Sequence, residues 1–191
     1  MMELLFVMAI MIGLAAVMAA SIGPVQANMS RQRSRGFLKM LETGLEQFRA
    51  EYGSYPKCEN PNDGANVLYR TLFGDYNEDG KPDWSATGGQ DTSVKTFIGD
   101  LNPGTIDQAT GSTKNPFVRM VLGKLILVDS WGTQLYYVGG AATKHNGRTE
   151  IQENGVPTGR FANDGNSYDL WSLGNDPDPS DDNDSMWLKN W

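Results

Sequence analysis

Two acidic segments carry the residues of this sequence that are best suited to chemistry, and that chemistry is cation binding. The first spells Asp-x-Asn-x-Asp-Gly-x-x-Asp, and its candidate calcium ligands are Asp75, Asn77, Asp79 and Asp83. Gly80 permits the sharp turn that wraps a chain around an ion, as in the first part of an EF-hand-like loop. Ala86 stands where such a loop would carry a bidentate Glu, so Asp83 or water must complete the coordination. The pattern predicts a calcium loop, and the alternative is a solvated turn.

The second acidic segment, residues 173–184, places five aspartates within twelve residues. Carboxylates at this density repel one another strongly unless a cation lies between them. The segment therefore either binds a cation or is disordered. Trp187 and Trp191 follow it and favour an ordered tail, because an indole ring left in water is costly.

Composition excludes several classes of function. The formal net charge is −7, and residues 58–191 contain ten basic and nineteen acidic side chains, which argues against nucleic acid as a partner. His145 is the only histidine, and no nucleophile, phosphate-loop or metalloprotease motif is present, so an enzyme is not expected. Cys58 is the only cysteine, which rules out a disulfide within the chain.

The N-terminal segment predicts a membrane anchor. Residues 4–22 contain no charge, and a helix of this length spans about 28 Å, the thickness of a bilayer core. A cleaved signal peptide is the alternative, although the run is long and no basic residue precedes it. Glu3 stands at the head of this run, where a carboxylate is costly unless it is paired, so Glu3 is a functional candidate.

Helical spacing continues beyond the apolar run. Apolar residues recur every three or four positions and form one stripe: Phe37, Leu41, Leu45, Phe48, Tyr52 and Tyr55. We therefore expect one helix over residues 4–52, with a kink or unwinding point at Gly23-Pro24 and a stop at Gly53 and Pro56. The predicted organisation is residues 1–27 as the membrane half of this helix and residues 28–191 as a globular domain that includes the amphipathic half.

The globular part predicts an α+β fold. Residues 65–73 favour a short helix, and residues 75–116 read as a long irregular loop that needs something to order it. Three segments favour strands, the first two joined around Trp131-Gly132: residues 119–129, 134–139 and 168–173. A small antiparallel sheet packed on the amphipathic half of the long helix follows from this order.

Four segments together resemble the major pseudopilin of type II secretion. Met2-Glu3-Leu4-Leu5 is similar to the family's N-terminus with its single glutamate, and residues 41–56 are similar to the end of its helix. Asp129-Ser-Trp-Gly is similar to the family's strand turn, and Ser172-Leu-Gly-Asn-Asp176 to the lead into its calcium loop. The chain departs from the family at Pro177, where a glycine is usual, and in its longer loop at residues 75–116.

The resemblance implies a pilin-like fold and a structural role. The subunit would be processed by a prepilin peptidase, methylated, and packed through its N-terminal helix into a homo-oligomeric helical filament. Its partners would be other pseudopilins and the secretion platform of the inner membrane, with the globular domain in the periplasm. By position, the family's calcium ligands become Leu173, Asp176, and Asp182 or Asp184, and Glu3 would pair with the N-terminal amine of a neighbouring subunit.

The charge pattern bears on orientation. Basic residues follow the apolar run at Arg31, Arg33, Arg35 and Lys39, and none precedes it, which by the positive-inside rule would place the domain in the cytoplasm. The family's mature chain usually starts two residues upstream of Met1, so we expect a short basic leader that processing removes. A type IV pilus subunit, a minor pseudopilin and a membrane-anchored calcium-dependent binding module remain as alternatives.

Overall fold

The computed structural model describes residues 2–82, 94–139, 167–176 and 187–190; between residues 1 and 25, side chains are described only at 7, 8 and 10–12. The described elements are α+β, as expected. Two helices, α1 (Met2–Tyr52) and α2 (Gly64–Phe73), precede five strands. The strands are β1 (Val118–Val121), β2 (Lys124–Leu127), β3 (Leu135–Gly139), β4 (Tyr168–Ser172) and β5 (Leu188–Lys189).

Helix α1 dominates the molecule. Its 51 residues correspond to a length of about 76 Å. The helix runs without interruption through Gly23-Pro24, so the predicted unwinding there is not observed. Burial begins at Ser34, and the predicted stripe is buried at Phe37, Leu41 and Leu45. Phe48 is partly buried and Tyr55 is buried as well, so the prediction is wrong only at Tyr52, which is 57% exposed.

The strands form two small antiparallel sheets. β1 and β2 make a hairpin, while β3, β4 and β5 make a three-stranded sheet with β4 at its centre. Every residue of β4 is buried, because the main core covers one face of the sheet and a second apolar cluster covers the other. This second cluster contains Val138, Trp171, Leu173 and Trp187.

The prediction of one strand over residues 119–129 is wrong. The chain reverses at Leu122 and Gly123, which have φ angles of 51° and 79°. Positive φ at both central residues is the geometry of the two-residue turns that match the twist of a β-hairpin. Leu122 lies at the turn and is 98% exposed, so an apolar residue conceals this turn from a reading based on hydrophobic pattern. β3 pairs with β4 along its length. The segments predicted as strands at residues 119–129 and 134–139 are joined to each other by one isolated bridge, between Val128 and Gln134.

Helix α2 joins the sheets to the core. It was expected at residues 65–73 and is present with Leu68, Tyr69 and Leu72 fully buried. Gly64 lies directly against β3, where a Cβ atom would come within 2.5 Å of the backbone nitrogen and oxygen of Tyr137. Only glycine allows this close approach of helix and strand. The chain then enters the loop that holds the first acidic segment.

Candidate functional site

The first acidic loop follows α2 directly and is organised by its own side chains. The Oδ1 atoms of Asp75 and Asn77 both accept a hydrogen bond from the backbone N–H of Asp79, each at 3.2 Å. The Oδ1 atom of Asp79 accepts from the N–H of Lys81 at 2.9 Å. Gly80 has a φ of 89°, which closes the turn as the sequence predicts. Oxygens of two predicted ligands thus converge on one amide; Asp83 lies outside the described residues.

Asp75 is fully buried and holds the loop to α2. Its Oδ2 atom accepts hydrogen bonds at 2.8 Å from the hydroxyl of Tyr69 and from the N–H of Gly80. Burial raises the pKa of this carboxyl, while the donated hydrogen bonds oppose the rise. With the bond from Asp79, three protein donors occupy three of about four acceptor sites on the carboxylate.

Glu78 connects the same loop to the β-hairpin, a role that the sequence does not reveal. Its Oε1 atom accepts a hydrogen bond from the side-chain amide of Asn66 at 3.1 Å, and its Oε2 atom accepts from the N–H of Leu125. Asn66 also donates to the carbonyl of Leu125 at 2.8 Å. Glu78 has a φ of 62°, which turns its side chain inward while Asp79 stays exposed. The loop therefore cross-links α2 and β2.

The second acidic segment begins at the end of β4, and its two described candidate ligands are Leu173 and Asp176. The carbonyl of Leu173 accepts a hydrogen bond from the N–H of Asp176 at 3.3 Å. The Oδ2 atom of Asp176 accepts from the indole N–H of Trp187 at 2.7 Å. This bond brings together the two ends of the segment that holds Asp182 and Asp184, which both lie outside the described residues.

Two of the four segments that carry the family resemblance meet in space. Asp129 is buried at the start of the Asp129-Ser-Trp-Gly turn, where its Oδ1 atom accepts from the N–H groups of Trp131 and Thr133, each at 2.9 Å. Its Oδ2 atom accepts from the hydroxyl of Ser172, 43 positions away in the chain. Burial raises the pKa of Asp129 against the lowering effect of these bonds.

The same junction supports the second acidic segment. Ser172 accepts a hydrogen bond from the N–H of Gly174 at 2.9 Å, and Thr133 donates to the carbonyl of Gly174 at the same distance. Gly174 has a φ of 66°. The turn at Asp129 therefore positions the backbone from which Leu173 and Asp176 project.

A third serine contact fixes this turn to the long helix. The hydroxyl of Ser130 donates to the carbonyl of Ser30, and the hydroxyl of Ser34 accepts from the N–H of Ser130 at 3.1 Å. No sequence pattern marks Ser30 or Ser34 as a contact residue. The contact lies where burial of α1 begins, so it sets the point at which the helix enters the domain.

The N-terminal half of α1 presents apolar side chains. The five that are described, Val7, Met8, Ile10, Met11 and Ile12, are all between 48% and 67% exposed. Among the described residues, however, no helix combines the length and apolar character that crossing a bilayer requires. Glu3 lies within the helix, and its side chain lies outside what the structure describes.

Metal binding at the two loops stays a prediction. In the described part of the chain, no three His, Cys, Asp or Glu side chains are grouped so that they would hold a metal ion. Three of the eight predicted ligands, Asp83, Asp182 and Asp184, lie beyond that part.

Comparison of the chain with protein-family models, with curated proteins and with solved structures finds no match. The geometry of α1 and of the two loops therefore carries the functional argument.

Proposed function

We propose that this chain is a structural subunit of a pseudopilus for type II protein secretion. The observation that carries the proposal is the division of α1. Its second half packs on the domain through Phe37, Leu41 and Leu45, whereas the side chains at residues 7, 8 and 10–12 are apolar and exposed. Where no described part of its own chain covers an apolar helix, lipid or other chains are the expected cover.

Assembly into a filament would bring the apolar half of α1 into contact with lipid first and with other chains afterwards. Before assembly, the apolar half of α1 lies in the inner membrane; in the filament, the same half packs against the helices of neighbouring copies. The globular domain, held to α1 from Ser34 onward, then lies on the periplasmic side. Glu3 receives its partner, the N-terminal amine of a neighbour, only in the assembled state, because a carboxylate in an apolar surrounding is costly unless paired.

Calcium binding is part of the proposal. The donors at Asp75, Asn77 and Asp79 and at Leu173 and Asp176 are carboxylate, amide and carbonyl oxygens, the ligand types that calcium prefers. Asp83, Asp182 and Asp184 would complete the two sets. A bound ion would neutralise the repulsion within each acidic segment and so stabilise the loops that cover the sheet.

Replacement of Glu3 tests the structural role. We expect Glu3→Ala to leave the domain folded and the chain in the membrane, but to prevent filament formation. The measurement is electron microscopy of filaments both on the cell surface and in the opened periplasm, with circular dichroism of the purified chain to verify folding. Glu59→Ala, which removes an exposed carboxylate of the domain, is the matched control and should assemble normally.

The same experiment separates the alternatives. Filaments from Glu3→Ala as abundant as those from the unchanged chain would contradict the pairing role. An unchanged chain that forms no filament under any condition would favour a membrane-anchored calcium-dependent module. Long surface filaments in place of short periplasmic ones would favour a type IV pilus subunit, and filaments that form only with another subunit in excess would favour a minor pseudopilin.

A further inference from the structure

The two flanks of α1 differ in charge where the helix enters the domain. On one flank, a groove of about 380 Å³ lies between α1 and β5, with Leu38 and Trp187 among its apolar walls. Three cationic side chains line it, Arg35, Lys39 and Lys189, against one carboxylate. That carboxylate, Glu42, is bonded to Lys39 at 2.9 Å. Among the described residues that line the groove, cationic side chains therefore outnumber carboxylates.

The opposite flank of α1 carries a second groove of about 320 Å³. It lies between the helix and the short 3-10 turn Gly99–Leu101, and Asp100 is the only charged residue among the described ones that line it. Asp100 is exposed and has no ion-pair partner among the described residues. Thr43 and Gln47 of α1 face it across the groove.

The positions of these grooves around the helix follow from its geometry. At 3.6 residues per turn, the residues that line the cationic groove and those that line the acidic groove are centred roughly 140° apart. The buried stripe of Phe37, Leu41 and Leu45 lies on the other side of the helix, about 110° from each groove. Each copy therefore presents opposite charges on its two sides, and the helix residues that line the two grooves are centred about 8 Å apart along α1.

We infer that the cationic groove of one copy binds the flank of the next copy that carries Asp100, so that Arg35 and Lys39 contact this carboxylate. The inference rests on the proposed function and deepens it by naming a lateral contact between domains. Contact between two different surfaces is heterologous, and heterologous contacts generate open helical assemblies where the rotation between copies does not close into a ring. A symmetric pairing of cationic grooves would oppose like charges, which is unfavourable.

A lipid surface fits these cations less well. Arg35 lies 13 residues beyond Ile22, the end of the apolar run, which corresponds to about 20 Å along the helix. The headgroup layer extends only about 5–8 Å beyond the hydrocarbon core, and the Debye length at physiological salt is about 8 Å.

The first measurement locates the contact. Two pools of the full chain, one labelled with nitrogen-15, are mixed in phosphatidylcholine vesicles and treated with a carbodiimide, which joins an amine directly to a carboxylate. We expect mass spectrometry to find Lys39 linked to Asp100 in heavy–light pairs. Links from Lys39 that occur only within a chain, or to other carboxylates only, would overturn the inference even where the copies do associate.

The second measurement tests the charges. In a detergent without anionic headgroups, sedimentation equilibrium of the full chain should show that Arg35→Asp and Asp100→Arg each weaken self-association about tenfold. The double variant should recover most of the loss, because the charge pair is restored with opposite polarity. Lys124→Asp, a charge reversal at an exposed site on β2, is the control and should associate like the unchanged chain.

The outcomes separate this inference from the function on which it rests. Additive losses in the double variant would overturn the pairing of Arg35 with Asp100 but leave filament formation standing. A loss for Arg35→Asp that appears only in vesicles with anionic lipid would assign the cations to lipid headgroups. A chain that stays monomeric at all concentrations in this detergent would overturn the inference, while the filament experiment on Glu3→Ala still decides the proposed function.

Discussion

Two buried aspartates head the two turns that organise this domain, and they differ in how far their hydrogen bonds reach. Asp75 accepts from Asp79 and Gly80 in its own loop and from Tyr69 six positions before it. Asp129 accepts from its own turn and from Ser172 on β4. A carboxylate with local partners orders a loop, whereas one with a distant partner also holds two segments of the chain together.

The exposed Asp107 shows what burial adds. It closes a turn in the same way, by accepting from the N–H of Ala109 and from the hydroxyl of Thr110. Because it is exposed, these bonds, led by that of Thr110, lower its pKa. At Asp75 and Asp129 the loss of water dominates and the pKa rises. The buried carboxylates therefore depend on their protein donors, and the exposed one does not.

The largest effect is expected at Asp129. Asp129→Ala leaves the N–H groups of Trp131 and Thr133 and the hydroxyl of Ser172 without an acceptor, and should lower the free energy of unfolding by about 3 kcal/mol. The measurement is urea unfolding of the full chain in mild detergent, followed by tryptophan fluorescence. Asp107→Ala is the control, with a small loss expected because water replaces its partners; equal losses would contradict the role of burial.

The pH dependence of the same variant pair refines this comparison. Because burial raises the pKa of Asp129 above its unfolded value of about 3.9, the folded state binds this proton more tightly. The associated stability is fully present below about pH 4 and is lost as the pH rises through the folded pKa. Asp129→Asn cannot titrate and should flatten this part of the stability curve. Asp107→Asn should leave the decline of stability with rising pH in place.

A smaller loss in the free energy of unfolding, about 2 kcal/mol, is expected for Asp75→Ala, since its donors at Asp79 and Gly80 lie partly in water.

Calcium distinguishes the two regions further. If the proposed ligands bind, calcium raises the thermal midpoint of the unchanged chain above its value in chelator. Asp75→Ala and Asp176→Ala should each reduce this increase, and Asp107→Ala, at a turn that holds no proposed ligand, should retain it. An increase that survives the loss of both ligands would rule out calcium at these loops.

The smallest effect is expected at Tyr69, whose hydroxyl donates a hydrogen bond to Asp75. Tyr69→Phe removes one donor and leaves the ring in the core, so about 1 kcal/mol should be lost. Tyr137→Phe, which removes a hydroxyl bonded to the carbonyl of Pro56 at 2.8 Å, is the matched variant. Together with Asp75→Ala, Tyr69→Phe should give less than the sum of the single losses, as a double-mutant cycle will show. Full additivity would mean that the hydroxyl and carboxylate act independently.

Sequence pattern predicted the helical part of the fold well. The stripe through Phe37, Leu41 and Leu45 and the short helix after Gly64 both follow the 3.6-residue period, which depends on neighbours three and four positions away. The turn at residues 75–80 was likewise predicted, because Asp, Asn and Gly at fixed spacing act within six residues. These features require no knowledge of distant segments.

The sheets were predicted less well, and the reason is particular to each error. Leu122 is apolar at a hairpin turn, so the pattern concealed the reversal between β1 and β2. β5 comprises only Leu188 and Lys189, too short for any alternation to be seen. Pairing of β3 with β4 joins segments about thirty positions apart, for which hydrophobic period contains no information.

By itself, the sequence determined the local features of this protein: the long helix, its apolar and amphipathic halves, and the turns headed by aspartate. Each depends on spacing and on the conformational preferences of neighbouring residues. Only the tertiary structure decided that Asp129 meets Ser172, that Glu78 caps the hairpin, and that Arg35 and Asp100 lie on opposite flanks of α1. These relations arise because packing of one shared core brings together segments whose sequences carry no record of one another.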